Sequence, residues 1–180
     1  MDAKQDVLSE EKEEFLINEF LMLSIQGAFQ HAKIYRDSAG NADREEFKKK
    51  LLRERLCDAA MRIHNDEDLR KEIQDLQTAS QEYSEFLEGG RLRIGICQKA
   101  LNLFLKHKWV TGRAPEPPHC PFDSVVLDEL QKRLRRRLAK WTLMDSIDEY
   151  DGYVKAADEV SRKVGMTIAE WELKLWNEAV

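Results

Sequence analysis

Two lysines and an asparagine lie on one strip of a helix that is otherwise almost wholly apolar. In the helix predicted over 92–110, Gly95, Lys99, Asn102 and Lys106 recur at the spacing that places side chains on one face. A helix that is apolar nearly all round normally lies at the centre of a domain, so we expect this strip to line a cleft. Burial disfavours a charged ammonium, and a lysine in such a cleft can therefore become a nucleophile. The alternative is that both lysines extend along their apolar stems to the surface.

A histidine and a cysteine stand side by side in the proline-rich loop predicted over 111–122. The histidine, His119, could act as an acid or base near Lys99, or it could satisfy backbone groups of the loop. A zinc site would require a second pair of ligands at recognisable spacing, and the sequence has no CxxC or HxxxH motif. The cysteines Cys57, Cys97 and Cys120 are widely separated along the chain. We therefore expect no metal site and no cofactor.

Acidic residues cluster near the N-terminus, at Glu10, Glu11, Glu13 and Glu14. Helical magnesium-dependent nucleotide hydrolases hold their metal with carboxylates one turn apart, so an enzyme of that type is one alternative for this chain. It would need Glu10 together with Glu13 or Glu14. Helix-end electrostatics also accounts for acids at these positions, because carboxylates stabilise the positive end of a helix.

Two short segments carry a resemblance to a known family. The residues QKALNLFLK at 98–106 and PPHCPFDSVV at 117–126 resemble part of the helix-hairpin-helix DNA glycosylases, over about residues 87–127. They look most like the branch of that family that acts on oxidised guanine. In that family a lysine on the second helix of the hairpin attacks the sugar, and a downstream aspartate assists. The resemblance therefore implies that Lys99 is the nucleophile and Asp123 the assisting carboxylate.

The basic residues are segregated, although the chain as a whole has a net charge of −5. The windows 89–115 and 131–142 each contain six lysines or arginines and no acid. Such a surface attracts polyanions, because binding releases their counterions. The alternative is a solvated face whose arginines pair with acids of neighbouring helices. The candidate binding residues are Arg91, Arg93, Asn102, Lys106, His119, Lys132, Arg133, Arg135, Arg136, Arg137 and Lys140.

The second basic window falls on a helix that we expect to begin at Asp123 or Ser124. Its apolar positions continue at helical spacing as far as Trp141, which predicts one core-facing stripe. The stripe consists of Leu127, Leu130, Leu134, Leu138 and Trp141. If the helix is that long, its six bases cover the whole opposite side.

Capping signals and apolar periodicity together predict about seven helices in one all-α domain spanning 1–180, arranged as a bundle or an orthogonal array. Residues 1–8 are expected to be a flexible tail, and the third helix is expected to end at Gly89 and Gly90. The predicted starts are Ser9, Asp43 with Glu46, Asn65 or Asp66, Leu92, Asp123 or Ser124, Ser146 with Glu149, and Thr167 with Glu170. The sixth helix should stop at Gly165.

Composition limits the functional classes. The acidic, polar start is unlike a signal peptide, and no apolar stretch approaches the ~20 residues needed to cross a bilayer, so we expect a cytoplasmic protein without membrane contact. No complete catalytic constellation is visible. The leading hypothesis is a non-enzymatic binding module with a basic surface for nucleic acid, another polyanion or a protein. A heptad-like seam on the third helix would also allow a homo-oligomer. The DNA glycosylase or lyase and the nucleotide hydrolase are the alternatives.

Overall fold

The computed structural model describes the backbone of residues 2–179 and the side chains of residues 9–179. A π-helical segment, Phe47–Arg53, joins α2 and α3 into one continuous helix, so the described part contains seven helices. It contains no strand, only an isolated bridge between Tyr35 and Leu87. The predicted all-α domain of about seven helices is therefore confirmed. With the two parts of that continuous helix labelled separately as α2 and α3, the helices are α1 (Asp2–Phe29), α2 (Asn41–Glu46), α3 (Glu54–Arg62), α4 (Asp66–Ala79), α5 (Ile94–Val110), α6 (Ser124–Leu134), α7 (Ile147–Lys163) and α8 (Ile168–Ala179).

The central helix is α5, as its apolar composition predicts. Twelve of its 17 residues are buried, because α1, α3, α4 and α7 all pack against it. The close approach of α1 depends on Gly27, where an added Cβ would lie 2.9 Å from the Leu103 side chain. Phe20 of α1 stacks on His107 of α5 at a centroid distance of 5.6 Å. The functional side chains of α5 are therefore held by rigid neighbours.

The first helix differs from its prediction. It begins at Asp2 rather than at Ser9, and the side chains of residues 1–8, the predicted flexible tail, lie outside the described part. Phe15 and Leu23 of this helix are 62% and 48% exposed. The helix is long enough to extend beyond the core, and it carries apolar side chains on a face that no other element covers completely.

The predicted start of the second helix, with Asp43 as its cap, is wrong by three residues. The helix begins at Asn41, and Gly40 is its N-cap. The carboxylate of Asp43 accepts a hydrogen bond from the Gly40 amide at 3.0 Å. Asp43 therefore occupies the third helical position of a capping box, the position that the sequence pattern assigned to Glu46.

Helix α4, which is the third of the predicted helices, begins as predicted and ends earlier than predicted. The side chain of Asn65 caps α4 by accepting the amides of Glu67 and Asp68. The helix stops at Ala79 rather than continuing to Gly89, because the buried Ser80 hydroxyl donates to the Gln77 carbonyl and accepts the Leu92 amide at 2.8 Å. The predicted seam is buried in the domain's own core, at Leu69, Ile73, Leu76 and Leu87, with Tyr83 half-buried beside it.

The clearest correction concerns α6, which is the fifth of the predicted helices. Asp123 caps α6 as predicted, but the helix ends at Leu134, where Arg135 adopts the left-handed conformation with φ 50°. Leu138 and Trp141 therefore do not continue the helical stripe. Trp141 instead begins a short 3₁₀ turn, Trp141–Leu143, that packs on α5. The bases of residues 131–142 consequently do not share one helical face.

The two C-terminal helices begin as predicted. Ser146 and Glu149 form the capping box of α7, whose C-terminal end is followed by Gly165 at φ 70°. Thr167 and Glu170 exchange the same pair of hydrogen bonds at the start of α8, at 3.0 and 3.1 Å. Among the described residues, no helix has the length and apolarity needed to cross a membrane.

Candidate functional site

The structure brings together the two residues that the resemblance implied. The ammonium of Lys99 lies 3.4 Å from a carboxylate oxygen of Asp123 and 4.5 Å from the centroid of the Trp141 ring. Their side chains are only 7% and 13% exposed. An unpaired buried lysine would favour the neutral amine that a nucleophile requires, whereas Lys99 has both a carboxylate and an aromatic face as partners. The pair is covered by protein groups rather than open to a cleft.

The second lysine of the strip has an analogous environment. Lys106 donates to Glu172 of α8 at 2.8 Å and lies 5.3 Å from the centroid of the Trp176 ring. Burial raises the pKa of the Glu172 carboxyl, and the adjacent ammonium offsets part of that rise. Lys106 therefore attaches α8 to α5, as Lys99 attaches the start of α6. Neither lysine extends to the surface, because both are more than nine-tenths buried.

A neutral polar chain lies between the two lysines. The Asn102 amide donates to the hydroxyl of Tyr150 at 3.3 Å, and that hydroxyl lies 2.8 Å from Nδ1 of His119. On the other side of the ring, Nε2 is 3.1 Å from a carboxylate oxygen of Asp66, without the geometry of a hydrogen bond. Burial lowers the pKa of His119, and Asp66 acts in the opposite direction. Burial raises the pKa of Tyr150.

The proline-rich loop is fastened to α5 by a buried glutamine. Gln98 donates to the Phe122 carbonyl at 2.7 Å and accepts the Phe122 amide at 3.1 Å. His119 and Cys120 of the same loop are buried, and burial raises the pKa of the cysteine thiol. The polar strip of α5 thus acts as a set of attachment points for the loop, for α7 and for α8. Its residues lie inside the domain rather than on a surface.

The N-terminal carboxylates are also engaged with cations. Glu13 accepts two hydrogen bonds from Arg113 at 2.8 Å, and Glu14 lies 3.8 Å from Arg53. Within the part of the chain that the structure describes, no group of three or more histidine, cysteine or acidic side chains could hold a metal ion. These exposed contacts join the first helix to residues that are distant in sequence.

The basic window 131–142 contains both ion-paired and unpaired side chains. Lys132 and Arg133 are both within 4 Å of Glu129 on the same helix, and Arg136 lies 4.0 Å from Glu159 of α7. Arg135, Arg137 and Lys140 are exposed, and no described carboxylate lies within ion-pair distance of them. The solvated-face alternative therefore describes part of this window, and three cations stay available on the surface.

The basic window 89–115 does not form one surface. Lys99 and Lys106 are interior, and Arg113 pairs with the first helix. Arg91 pairs with Asp145 at 2.9 Å, whereas Arg93 donates to the Thr142 carbonyl at 3.1 Å. The two arginines just before α5, Arg91 and Arg93, line one cavity together. That cavity, which we call the basic cleft, has a volume of about 260 Å³, and its lining includes Arg91, Arg93, Lys33, His31 and Glu88.

An apolar groove lies between α1 and the π-helical segment, and none of the candidate catalytic or binding residues lines it. Its volume is about 600 Å³, which is within the usual range of ligand and peptide sites. We call it the α1 groove. On the α1 side it is lined by Asn18, Leu21, Met22, Ile25, Gln26, Phe29 and Gln30. On the other side it is lined by Lys48, Lys49 and Arg53, and its lining contains no acid.

The sequence contained two signals for this groove. Along α1, Phe15, Asn18, Met22, Ile25 and Phe29 recur at alternating spacings of three and four, as in a heptad seam. The run of three lysines at 48–50 lay outside both acid-free windows and was therefore missed. A wide helical turn with i→i+5 bonding then aligns residues 48 and 53, which a regular α-helix would not do.

No protein-family model, curated protein or solved structure matches this chain.

Proposed function

We propose that this chain is a helical protein-interaction module whose α1 groove binds an amphipathic helix with acidic side chains. The observation that carries the proposal is the groove's combination of an apolar floor and a wall with three cations and no acid. Amphipathic helices bind in such grooves through apolar side chains at i, i+3, i+4 and i+7. This gives the expected anionic or protein partner a definite site.

The dimensions of the groove suit a helix. Its α1 wall extends from Asn18 to Gln30, over about 18 Å at the α-helical rise of 1.5 Å per residue. A partner helix of about three turns would therefore match its length. Met22 is 53% exposed within the groove, and a flexible thioether side chain adapts well to a bound apolar surface.

The charges on the opposite wall favour acidic partners. Lys48 has Glu45 at 3.0 Å and Arg53 has Glu14 at 3.8 Å, both exposed contacts that a ligand carboxylate can replace at little cost. Lys49 is exposed, and no described carboxylate lies within ion-pair distance of it. Complementary charge on the partner would raise the association rate and select against basic helices.

The test uses two synthetic amphipathic helices of about 18 residues, with identical leucine positions and either glutamate or lysine on the polar face. We expect the glutamate peptide to bind at least about tenfold more tightly by fluorescence anisotropy, with a preference that weakens as salt is added. Equal binding of both peptides, or no binding of either, would refute the proposal.

Matched variants locate the site. Met22→Glu places a charge on the groove floor and should abolish binding, whereas Met61→Glu changes a more exposed methionine of α3, 68% against 53%, and should not. Lys49→Glu should weaken the acidic peptide, and Lys71→Glu, on the exposed face of α4, serves as its control. If Met22→Glu binds as well as the unchanged protein, the peptide does not occupy the groove.

A DNA-acting lyase is the second candidate, and one observation favours it. Lys99 and Asp123, the two residues implied by the resemblance to helix-hairpin-helix glycosylases, lie 3.4 Å apart. Because Trp141 covers the pair, this reaction requires the segment around Trp141 to move away from α5. Borohydride trapping on duplexes with oxidised bases and an abasic site tests it directly. The absence of an adduct dependent on Lys99 removes this candidate.

A further inference from the structure

The basic cleft offers a second site that is independent of the α1 groove. It lies where residues 31–34, after α1, meet the segment 91–93 and the 3₁₀ turn Trp141–Leu143. We propose that this cleft binds the phosphomonoester group of a small molecule. The proposal depends on the arrangement of Arg91 and Arg93, and it does not depend on the groove being a protein-binding site.

Local backbone conformation directs both arginines to the same side. Arg91 and Arg93 have extended backbone, with φ/ψ of −165°/165° and −77°/153°. In an extended segment, alternate side chains point to the same face. Leu92, between them, is 3% exposed and points into the core. Burial of this one leucine therefore places both guanidinium groups in the cleft.

Each guanidinium is held in place and still has free donors. Arg91 donates to Asp145 at 2.9 Å, and Arg93 donates to the Thr142 carbonyl at 3.1 Å. A guanidinium has five N–H donors in a fixed plane, so most of them are left for a ligand. Two anchored arginines lose little side-chain freedom when they bind a phosphate oxygen, for which their planar donor geometry is suited.

Besides the two arginines the cleft has one lysine and one acid, Glu88, so its cations outnumber its acids by three to one. Lys33 lines it, and its contacts to Asp37 and Glu88 are loose, at 3.7 and 3.6 Å with a side chain that is 61% exposed. The cleft lies at the N-terminal end of α5, a helix of 17 residues, and Ile96 of its first turn contributes to the lining. The positive end of the helix dipole adds to the attraction.

The size of the cleft favours a small ligand over a polymer. At about 260 Å³ it lies just below the range of typical drug-sized sites. Its lining combines the charged groups and Thr142 with apolar groups, Leu92, Ile96 and Leu143 among them. A phosphate with a short organic part fits these properties better than an extended nucleic-acid backbone, which would need a longer basic track.

The test measures binding of inorganic phosphate, glycerol 3-phosphate and adenosine 5′-monophosphate by calorimetry and by NMR of the arginine Nε–H groups. We expect saturable binding of the phosphate compounds and none of adenosine, with shifts in the signals of Arg91 and Arg93. The two organic probes show whether the part attached to the phosphate contributes. No saturable binding of any phosphate probe up to roughly 10 mM would overturn the proposal.

The variant Arg93→Gln removes the anchored charge at an exposed position, so the fold should be retained. Affinity for phosphate should fall at least about tenfold, a loss typical of a charge-assisted contact. Lys155→Gln, which removes an exposed charge from α7, should bind as the unchanged protein does. Unaltered binding by Arg93→Gln, or binding of duplex DNA but of no small phosphate, would contradict the proposed site.

Discussion

One carboxylate, that of Asp123, both starts α6 and neutralises Lys99. Its Oδ1 accepts the amides of Val125 and Val126 at 3.0 and 3.3 Å, while its Oδ2 lies 3.4 Å from the Lys99 ammonium. The cap and the ion pair use different oxygens, so each can be removed separately. This one side chain therefore links the start of α6 to the central helix.

Replacing either partner of this pair should destabilise the fold. Lys99→Met leaves a carboxylate that is 13% exposed without its cation, and Asp123→Asn keeps the cap and loses the charge. Each change should lower the free energy of unfolding by about 3 kcal/mol, as measured by urea denaturation. The double variant should lose less than the two single losses together, by about 1–2 kcal/mol. The exposed Glu159–Lys163 pair of α7 is the control, and simple additivity at Lys99 and Asp123 would exclude coupling.

Two glycines inside helices should respond in opposite ways to alanine. A Cβ at Gly95 would overlap the carbonyl oxygen of Trp141, so Gly95→Ala should lower stability by roughly 1–3 kcal/mol. Gly152, exposed within α7, has no other atoms within 4 Å of the added methyl. Gly152→Ala should therefore raise stability by ~0.5–1 kcal/mol. Thermal unfolding of the two variants in parallel tests this, and a neutral Gly95→Ala would show that the 3₁₀ turn can move away from α5.

Stability should decrease as the pH falls below about 6.5, the pKa of histidine in an unfolded chain. Burial lowers the pKa of His119 in the fold, so in this window the unfolded state binds more protons and the free energy of unfolding rises with pH. Burial also lowers the pKa of His107, which changes the free energy of unfolding with pH in the same direction. Urea unfolding at pH 7.5 and 5.5 should give a smaller difference for His119→Gln than for the unchanged protein. An identical difference would show that His119 does not contribute.

Replacing the left-handed residue at the end of α6 by glycine should stabilise the fold. Arg135 has φ 50°, a conformation that costs roughly 1 kcal/mol or more for a residue with a Cβ. Arg135→Gly should therefore raise the free energy of unfolding by about 1 kcal/mol. Arg137→Gly removes the same charge from exposed loop backbone without positive φ and should give no gain. Equal effects of the two variants would attribute any gain to charge instead of backbone conformation.

Features set by a few neighbouring residues could be predicted from the sequence. The caps at Asn65, Asp123, Ser146 and Thr167 are each made between side chains and amides within one helical turn. The central position of α5 follows from its composition, because a helix that is apolar nearly all round is normally surrounded by other elements. These are local properties, and the structure has them where the sequence placed them.

Helix ends that depend on distant residues could not be predicted in this way. Ser80 ends α4 through a hydrogen bond to Leu92, a residue that no local pattern connects to it. At the end of α6 there is neither a glycine nor a proline. The helical spacing of the leucines continues to Leu138, beyond the point where the helix ends. The π-helical turn of Phe47–Arg53 likewise has no composition of its own.

The candidate sites show the same division. The strip on α5 was visible as a periodicity, but its partners Glu172 and Trp176 come from the last helix, and their approach depends on the whole fold. The α1 groove requires two helices that are separated by a loop in the sequence. The heptad-like spacing along α1 could be detected in the sequence, whereas the position of Lys49 opposite that face could not.

The packing of α1 on α5 has a consequence for synthesis of the protein. Ribosomes deliver α1 early, and at ~5–20 residues per second its partner emerges only after several more seconds. During that interval Phe20, Ile25 and Ala28, all buried in the finished domain, have no α5 to pack against. A nascent chain at this stage could exchange its first helix with a neighbouring copy. Such an exchange would lower the yield of correctly folded chains whatever the stability of the completed domain.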